Sequence, residues 1–290
     1  KNRSACPSGR QGILRVPQFL SEVRVQGVCP RYDEERTVTH KNGERLMKVM
    51  LTSSLGGSSK VNGIRVPSIL IQSNGLLDNL KSIWTTDAKV LIICADPSDY
   101  EKNDSVCACL KESLPMSGLS ISHIDKCDGR NPSAVESLEC VDVLILAGGH
   151  VPTQNKFMDQ LRLRERLKDY HGIVVAWSAG SMNCADTVYA GPELEGEAID
   201  PLYERWISGL GLTDINIFPH FQSLKDDYLD GLRLIEDITY ADSVGHEIIA
   251  LNDGSYIMLE DGKTTLYGEA YMIKDRQQWK ICNDGESISL

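Results

Sequence analysis

The stretch Gly172-Ile173-Val174-Val175-Ala176-Trp177-Ser178-Ala179-Gly180-Ser181 constrains the fold of this chain more than any other. Ile173 to Ala176 is a run of β-branched and small apolar residues, the kind that fills a strand buried on both faces. Ala179 and Gly180 then allow a tight turn and the start of a helix. A serine at such a junction is held out of the sheet with its hydroxyl exposed. It also sits beside unpaired helix N–H groups that can receive an oxyanion. Taken alone, Ser178 reads first as an N-cap for a helix over 179–185.

The surroundings of that strand set the fold class. A chain of 290 residues can bury one substantial core, or one core plus a small appendage. From residue 47 onward, strand and helix patterns alternate. Strands are expected over 48–53, 89–95, 119–124, 141–146 and 172–176, the third of them near an edge. Helices are expected over 74–84, 105–114, 132–138 and 153–170, with a Ser/Gly loop through Gly56, Gly57 and Gly63. This alternation predicts an α/β fold with a mostly parallel, flavodoxin-like sheet flanked by helices. A further strand over 213–218 and a long helix over 223–240, with Leu224, Tyr228, Leu232 and Ile235 inward, follow an irregular acidic segment at 186–211. Short strands at 247–251, 255–259, 265–273 and 278–281 predict antiparallel C-terminal strands, with hairpin turns at Asp253-Gly254 and Asp261-Gly262.

Residues 1–46 show no sustained period and are rich in Arg, Gly, Pro and Ser, which predicts a loosely ordered N-terminal extension. The single α/β domain is expected over 47–290, and Met47 is a natural start for it. The first 46 residues carry nine Lys/Arg and five Asp/Glu, so the remainder holds a net charge of −15 out of the total −11. An acidic body of that kind argues against nucleic acid or an anionic membrane as partner. No run of about 18 apolar residues predicts a membrane span, and no apolar h-region predicts a secretory signal. Nine cysteines without a CxxC pair, several in apolar surroundings, predict free thiols and a cytoplasmic location.

Ligands of open α/β sheets bind beyond the carboxyl ends of the strands. Three expected strands end there in chemically useful residues: Gly148-Gly149-His150, Ser178, and Pro219-His220-Phe221. A serine hydroxyl needs a base to take its proton, and histidine suits that work near neutral pH. The convergence favours Ser178 as nucleophile and His220 as base over the capping role. A third group must orient the imidazole, and the acidic segment between them offers Glu193 first, with Glu195, Glu197 and Asp186 as alternatives. The N–H groups of Gly149 and Ala179 are candidate oxyanion donors. The order Ser…Glu…His matches α/β-hydrolases. However, Ala-Trp-Ser-Ala-Gly lacks their first glycine, and only 42 positions separate Ser178 from His220.

Trp177-Ser178-Ala179-Gly180-Ser181, Gly148-Gly149 after a strand, and Pro219-His220-Phe221 together resemble the peptidase E and cyanophycinase group of serine peptidases. That group is built on the class I glutamine amidotransferase-like fold, and the resemblance covers roughly residues 47–273. It implies Ser178 as nucleophile, His220 as base, Glu193 as the acid some fifteen positions beyond the serine, and Gly149 and Ala179 as oxyanion donors. His150 stands where peptidase E commonly has asparagine. It is expected either to contact substrate or to cap its own loop. The aspartyl preference of peptidase E calls for a basic side chain near the scissile bond, for which Lys225 and Arg233 are candidates. The expected activity is hydrolysis of amide bonds in short or unusual peptides, without metal or cofactor. A non-catalytic binding protein of the same fold and a small-molecule esterase are the alternatives.

Overall fold

Five strands whose residues alternate between two apolar cores form the centre of the molecule. The computed structural model describes residues 46–290. The expected extension therefore lies outside the described residues, Leu46 excepted. In chain order the first elements are β1 (Lys48–Thr52), β2 (Gly56–Val61), β3 (Ile64–Leu70), α1 (Leu76–Ile83), β4 (Ala88–Ile93), α2 (Tyr100–Met116) and β5 (Ile121–Cys127). They continue with β6 (Val143–Leu146), α3 (Val151–Gln160), α4 (Leu163–Arg166), β7 (Ile173–Trp177) and α5 (Ala179–Met182). Strands β5, β4, β6, β7 and β1 lie side by side in that order, all parallel. Val49, Leu144, Leu146, Val174 and Ala176 face a core closed by Phe157 and Met158 of α3 and Leu163 of α4. Met50, Val143, Ile145, Ile173 and Val175 face the other core, closed by Leu76, Leu80, Leu110 and Leu114 of α1 and α2. Near-continuous apolar strands are thus buried on both faces, as a parallel sheet between helices requires.

The second half of the chain adds β8 (Thr187–Tyr189), β9 (Trp206–Ser208), β10 (Asn216–Phe218), α6 (Phe221–Leu224), β11 (Tyr228–Leu229), β12 (Leu232–Arg233) and α7 (Tyr240–Asp242). It ends with β13 (Glu247–Leu251), β14 (Tyr256–Glu260), β15 (Lys263–Tyr267), β16 (Ala270–Lys274), β17 (Gln277–Cys282) and β18 (Ser287–Ser289). Strands β14, β15 and β18 extend the large sheet antiparallel from β1, giving eight strands in all. Strands β10, β13, β16 and β17 form a separate four-stranded sheet, in which β10 and β13 are parallel. The fold is the expected α/β class with antiparallel C-terminal strands.

Several expectations differ locally from the structure, among them the strand expected over 265–273, which divides into β15 of the large sheet and β16 of the small one. The Ser/Gly segment after β1 is a β-hairpin, β2 paired with β3, because its alternation is carried by Ser, Lys and Arg rather than by apolar residues. The helix expected over 153–170 breaks at Arg162, where φ is 52°. The helix expected over 223–240 is absent. Asp230 (φ 54°) and Gly231 (φ 80°) turn the chain between β11 and β12, and a short π-helical segment, Leu234–Thr239, follows. An Asp-Gly pair is a strong turn signal. Here it outweighs a correct apolar spacing, and Tyr228, expected inside, is 68% exposed. Finally, Asp253-Gly254 does not close a hairpin, since β13 and β14 belong to different sheets. Asp261-Gly262 does close one, joining β14 to β15.

Among the described residues, Cys94, Cys107, Cys109, Cys127, Cys184 and Cys282 are free thiols. No described helix is long and apolar enough to cross a membrane.

Candidate active site

The strand-to-helix junction after β7 holds Ser178 in an uncommon backbone conformation, with φ 51° and ψ −122°. A non-glycine residue at positive φ is strained by about 1–3 kcal/mol and persists only where its surroundings fix it. Two hydrogen bonds from neighbouring groups do so: the Ser178 N–H donates to the Thr52 carbonyl (3.1 Å), and the Met182 N–H donates to the Ser178 carbonyl (3.1 Å). The Ser178 side chain makes no capping hydrogen bond. Its hydroxyl is therefore not spent on the helix start, which removes the support for the N-cap reading.

Gly148, at the end of β6, packs directly against this serine. A Cβ on Gly148 would come within 2.6 Å of the Trp177 ring and 2.9 Å of Ser178 Cβ. A Cβ on Gly149 would meet Ala95 Cβ at 2.5 Å. Both glycines are thus required for close approach between the ends of adjacent strands. Ala179 is the first residue of α5 and is buried.

His220 follows β10 and also has positive φ (57°). Its Nδ1 lies 2.7 Å from Asp253 Oδ1. The register explains the meeting. Parallel β10 and β13 pair Phe218 with Ala250, so the residues just beyond their carboxyl ends, His220 and Asp253, come out side by side. Burial alone would raise the Asp253 carboxyl. Hydrogen bonds and charge from His220, with further hydrogen bonds from Ser53 and Gln222, hold it below its ordinary value instead. The Gln222 side chain also receives the Asp253 N–H (2.9 Å).

Glu193, the expected partner of His220, is engaged elsewhere. Its carboxylate accepts the Val151 N–H at the start of α3 (3.1 Å). Burial pushes its carboxyl up from the ordinary value, an effect the Val151 N–H only partly offsets. Of the alternatives, Glu197 and Asp186 are engaged with other partners. Glu197 accepts the Glu193 and Leu194 N–H groups and lies 2.9 Å from His150 Nε2. Asp186 pairs with Arg164. His150 has both ring nitrogens occupied, Nδ1 by Thr153 Oγ1 (2.8 Å) and Nε2 by Glu197. It joins the acidic segment to α3 and lies outside the cavity wall.

A cavity of about 290 Å³ opens between Ser178 and His220 on one side and the β2–β3 hairpin with α2 on the other. Its wall includes Gly148, Trp177, Gly56, Gly57, Cys109 and Arg65. Arg65 is the one wall residue with a fixed charge, and its guanidinium donates to Ser58 Oγ (2.8 Å). Of the basic residues expected near the bond, Arg233 is committed to a two-bond pair with Asp237. Lys225 and Arg233 both lie outside the cavity wall. Among the described residues, no three His, Cys, Asp or Glu side chains cluster as a metal site.

Nothing local in the sequence places Asp253 beside His220 or Arg65 in the cavity wall. The first reads as an ordinary turn residue. The second lies in a hairpin that looks like a loop.

The family model described as peptidase family S51 matches residues 74–267, a span that holds Ser178, His220 and Asp253. No match is found among curated proteins. Among solved structures, the chain is similar to a Listeria monocytogenes EGD-e protein described as a peptidase E. The likeness has 12% identity and a TM-score of 0.49, and covers 82% of this chain and 100% of that one. The match to the family model spans two thirds of the sequence, and the chain belongs to peptidase family S51.

Proposed function

We propose that this peptidase is of the serine type and cleaves short peptides that carry a carboxylate near the scissile bond. The observation that carries the reading is the His220–Asp253 hydrogen bond of 2.7 Å, made by a histidine that shares one cavity wall with Ser178. With Nδ1 engaged by the carboxylate, Nε2 is the nitrogen left to take the Ser178 proton. Ser178 Oγ attacks the peptide carbonyl carbon as His220 Nε2 accepts its proton. The N–H groups of Gly149 and Ala179 donate to the oxyanion of the tetrahedral intermediate. His220 then passes the proton to the leaving amine, the C–N bond breaks, and water repeats the sequence on the acyl-enzyme. Asp253 fills the orienting role first expected of Glu193.

The substrate class rests on two features. A cavity of about 290 Å³ suits a dipeptide-sized ligand better than a long chain. Arg65 supplies a guanidinium suited to paired hydrogen bonds with a carboxylate.

The test is active-site labelling with a fluorophosphonate, alongside a screen of acidic and neutral dipeptides. Stoichiometric labelling that Ser178→Ala abolishes supports the reading. Unlabelled wild-type protein, or labelling unaffected by Ser178→Ala, refutes it.

A further inference from the structure

We propose that Ser53 is a positioning residue that joins the base to the strand on which the nucleophile is seated; this rests on the assignment of Ser178, His220 and Asp253 above. Ser53 immediately follows β1 and is fully buried. Its hydroxyl makes two hydrogen bonds of opposite sense. It accepts the His220 N–H (2.8 Å) and donates to Asp253 Oδ1 (2.9 Å), the same oxygen that faces His220 Nδ1. A hydroxyl has one donor and two acceptor positions, so it can serve both neighbours together, and an alanine serves neither.

The placement matters because the reacting groups come from different sheets. Ser178 follows β7 of the large sheet, and His220 follows β10 of the small one. Consecutive residues at the end of β1 hold the two backbones. The Thr52 carbonyl accepts the Ser178 N–H (3.1 Å) and the Ser181 hydroxyl (2.8 Å), while Ser53 Oγ accepts the His220 N–H. The Ser53 N–H in turn donates to the Ser255 carbonyl (3.3 Å), two residues beyond Asp253. One short segment therefore fixes the separation of nucleophile, base and acid. Without the Ser53 hydroxyl, the His220 N–H loses its acceptor. Asp253 Oδ1 loses the donor it receives beside His220 Nδ1. Groups that orient a reacting side chain in this way commonly change rates by 10- to 100-fold.

The experiment measures the rate of fluorophosphonate labelling of Ser178 in the full chain. It also follows the downfield proton resonance of the His220 Nδ1–H in protein carrying ¹⁵N-histidine. Ser53→Ala is expected to slow labelling roughly 10- to 100-fold and to shift or broaden that resonance. Ser53→Thr and Ser53→Val form a pair of equal volume with and without the hydroxyl, which serves if the alanine variant is unstable. The threonine variant is expected to label at least ten times faster than the valine variant. Ser243→Ala is the matched control. Ser243 is also fully buried, donates to the Tyr240 carbonyl and accepts the Arg276 N–H, all outside the cavity wall. It should leave both readouts unchanged. Ser53→Ala labelled at the wild-type rate with an unmoved resonance, or equal rates for the threonine and valine variants, overturns this inference alone. Labelling that survives Ser178→Ala overturns the underlying assignment, and this inference with it.

Discussion

Asp253 and Glu193 divide two carboxylate roles around His220: Asp253 is bonded to the imidazole at 2.7 Å, while Glu193 is bonded to the Val151 N–H. Their protonation tendencies differ accordingly. Asp253 is held low by its donors, and Glu193 is pushed up by burial. Asp253→Asn is expected to cut kcat by about 10³- to 10⁴-fold, because an amide can hold the imidazole in the wrong tautomer. Glu193→Gln keeps an acceptor for Val151 and should hold kcat within a few-fold.

The same pair makes a pH prediction for stability. A carboxyl whose folded value is raised favours the fold below its unfolded value of 4.5, and that contribution is lost as pH rises through the folded value. Glu193→Gln removes this dependence. Its stability relative to wild type should therefore improve from pH 4.5 upward. Denaturant melts at pH 4.5 and pH 8 check the sign, and a variant that gains nothing at the higher pH contradicts it.

Gly148 abuts Ser178, so Gly148→Ala forces Trp177 and Ser178 away from their present positions. Displacement of a reacting atom by about 1 Å costs on the order of 100-fold. Labelling of Ser178 should fall by that order in Gly148→Ala. Gly63→Ala, at a hairpin tip with nothing within 4 Å, should leave labelling intact and cost only the strain of its φ of 80°.

Arg65 gives a specificity prediction. A hydrogen bond to a charged group contributes about 1.5–3 kcal/mol. Arg65→Gln should therefore lower kcat/KM roughly 10- to 100-fold for acidic dipeptides and leave neutral ones within a few-fold. Steady-state assays on matched Asp- and Asn-containing dipeptides read the difference directly. Equal losses on both would mean that Arg65 supports the hairpin rather than the substrate.

How far the sequence discloses this arrangement depends on the range of the interactions involved. The central strands are legible because runs such as Val143–Leu146 and Ile173–Ala176 have one physical solution, burial on both faces. The placement of Ser178 and His220 beyond strand ends and in one cavity wall is legible for a related reason, since the carboxyl end of a buried strand is where α/β sheets bind ligands. The meeting of Asp253 with His220 is hidden because it depends on the parallel pairing of β10 with β13, residues far apart in sequence. The Asp-Gly context of Asp253 instead suggests a local hairpin. Glu193 lies nearer to Ser178 in sequence, and its carboxylate accepts the Val151 N–H while the charge of His220 also acts on it. The helix expected over 223–240 fails where Asp230-Gly231 supplies a turn that periodicity alone does not weigh.

Ser178 and His220 both have positive φ, 51° and 57°, a region that glycine adopts without steric cost. Side chains at such positions work against the folding free energy of the molecule. Ser178→Gly should consequently yield a chain that is inert towards peptides but more resistant to heat, by about 1 kcal/mol after the added freedom of the unfolded glycine is subtracted. The two residues proposed to react are then also two places where the protein is less stable than its fold permits. Selection for robustness alone would erase them.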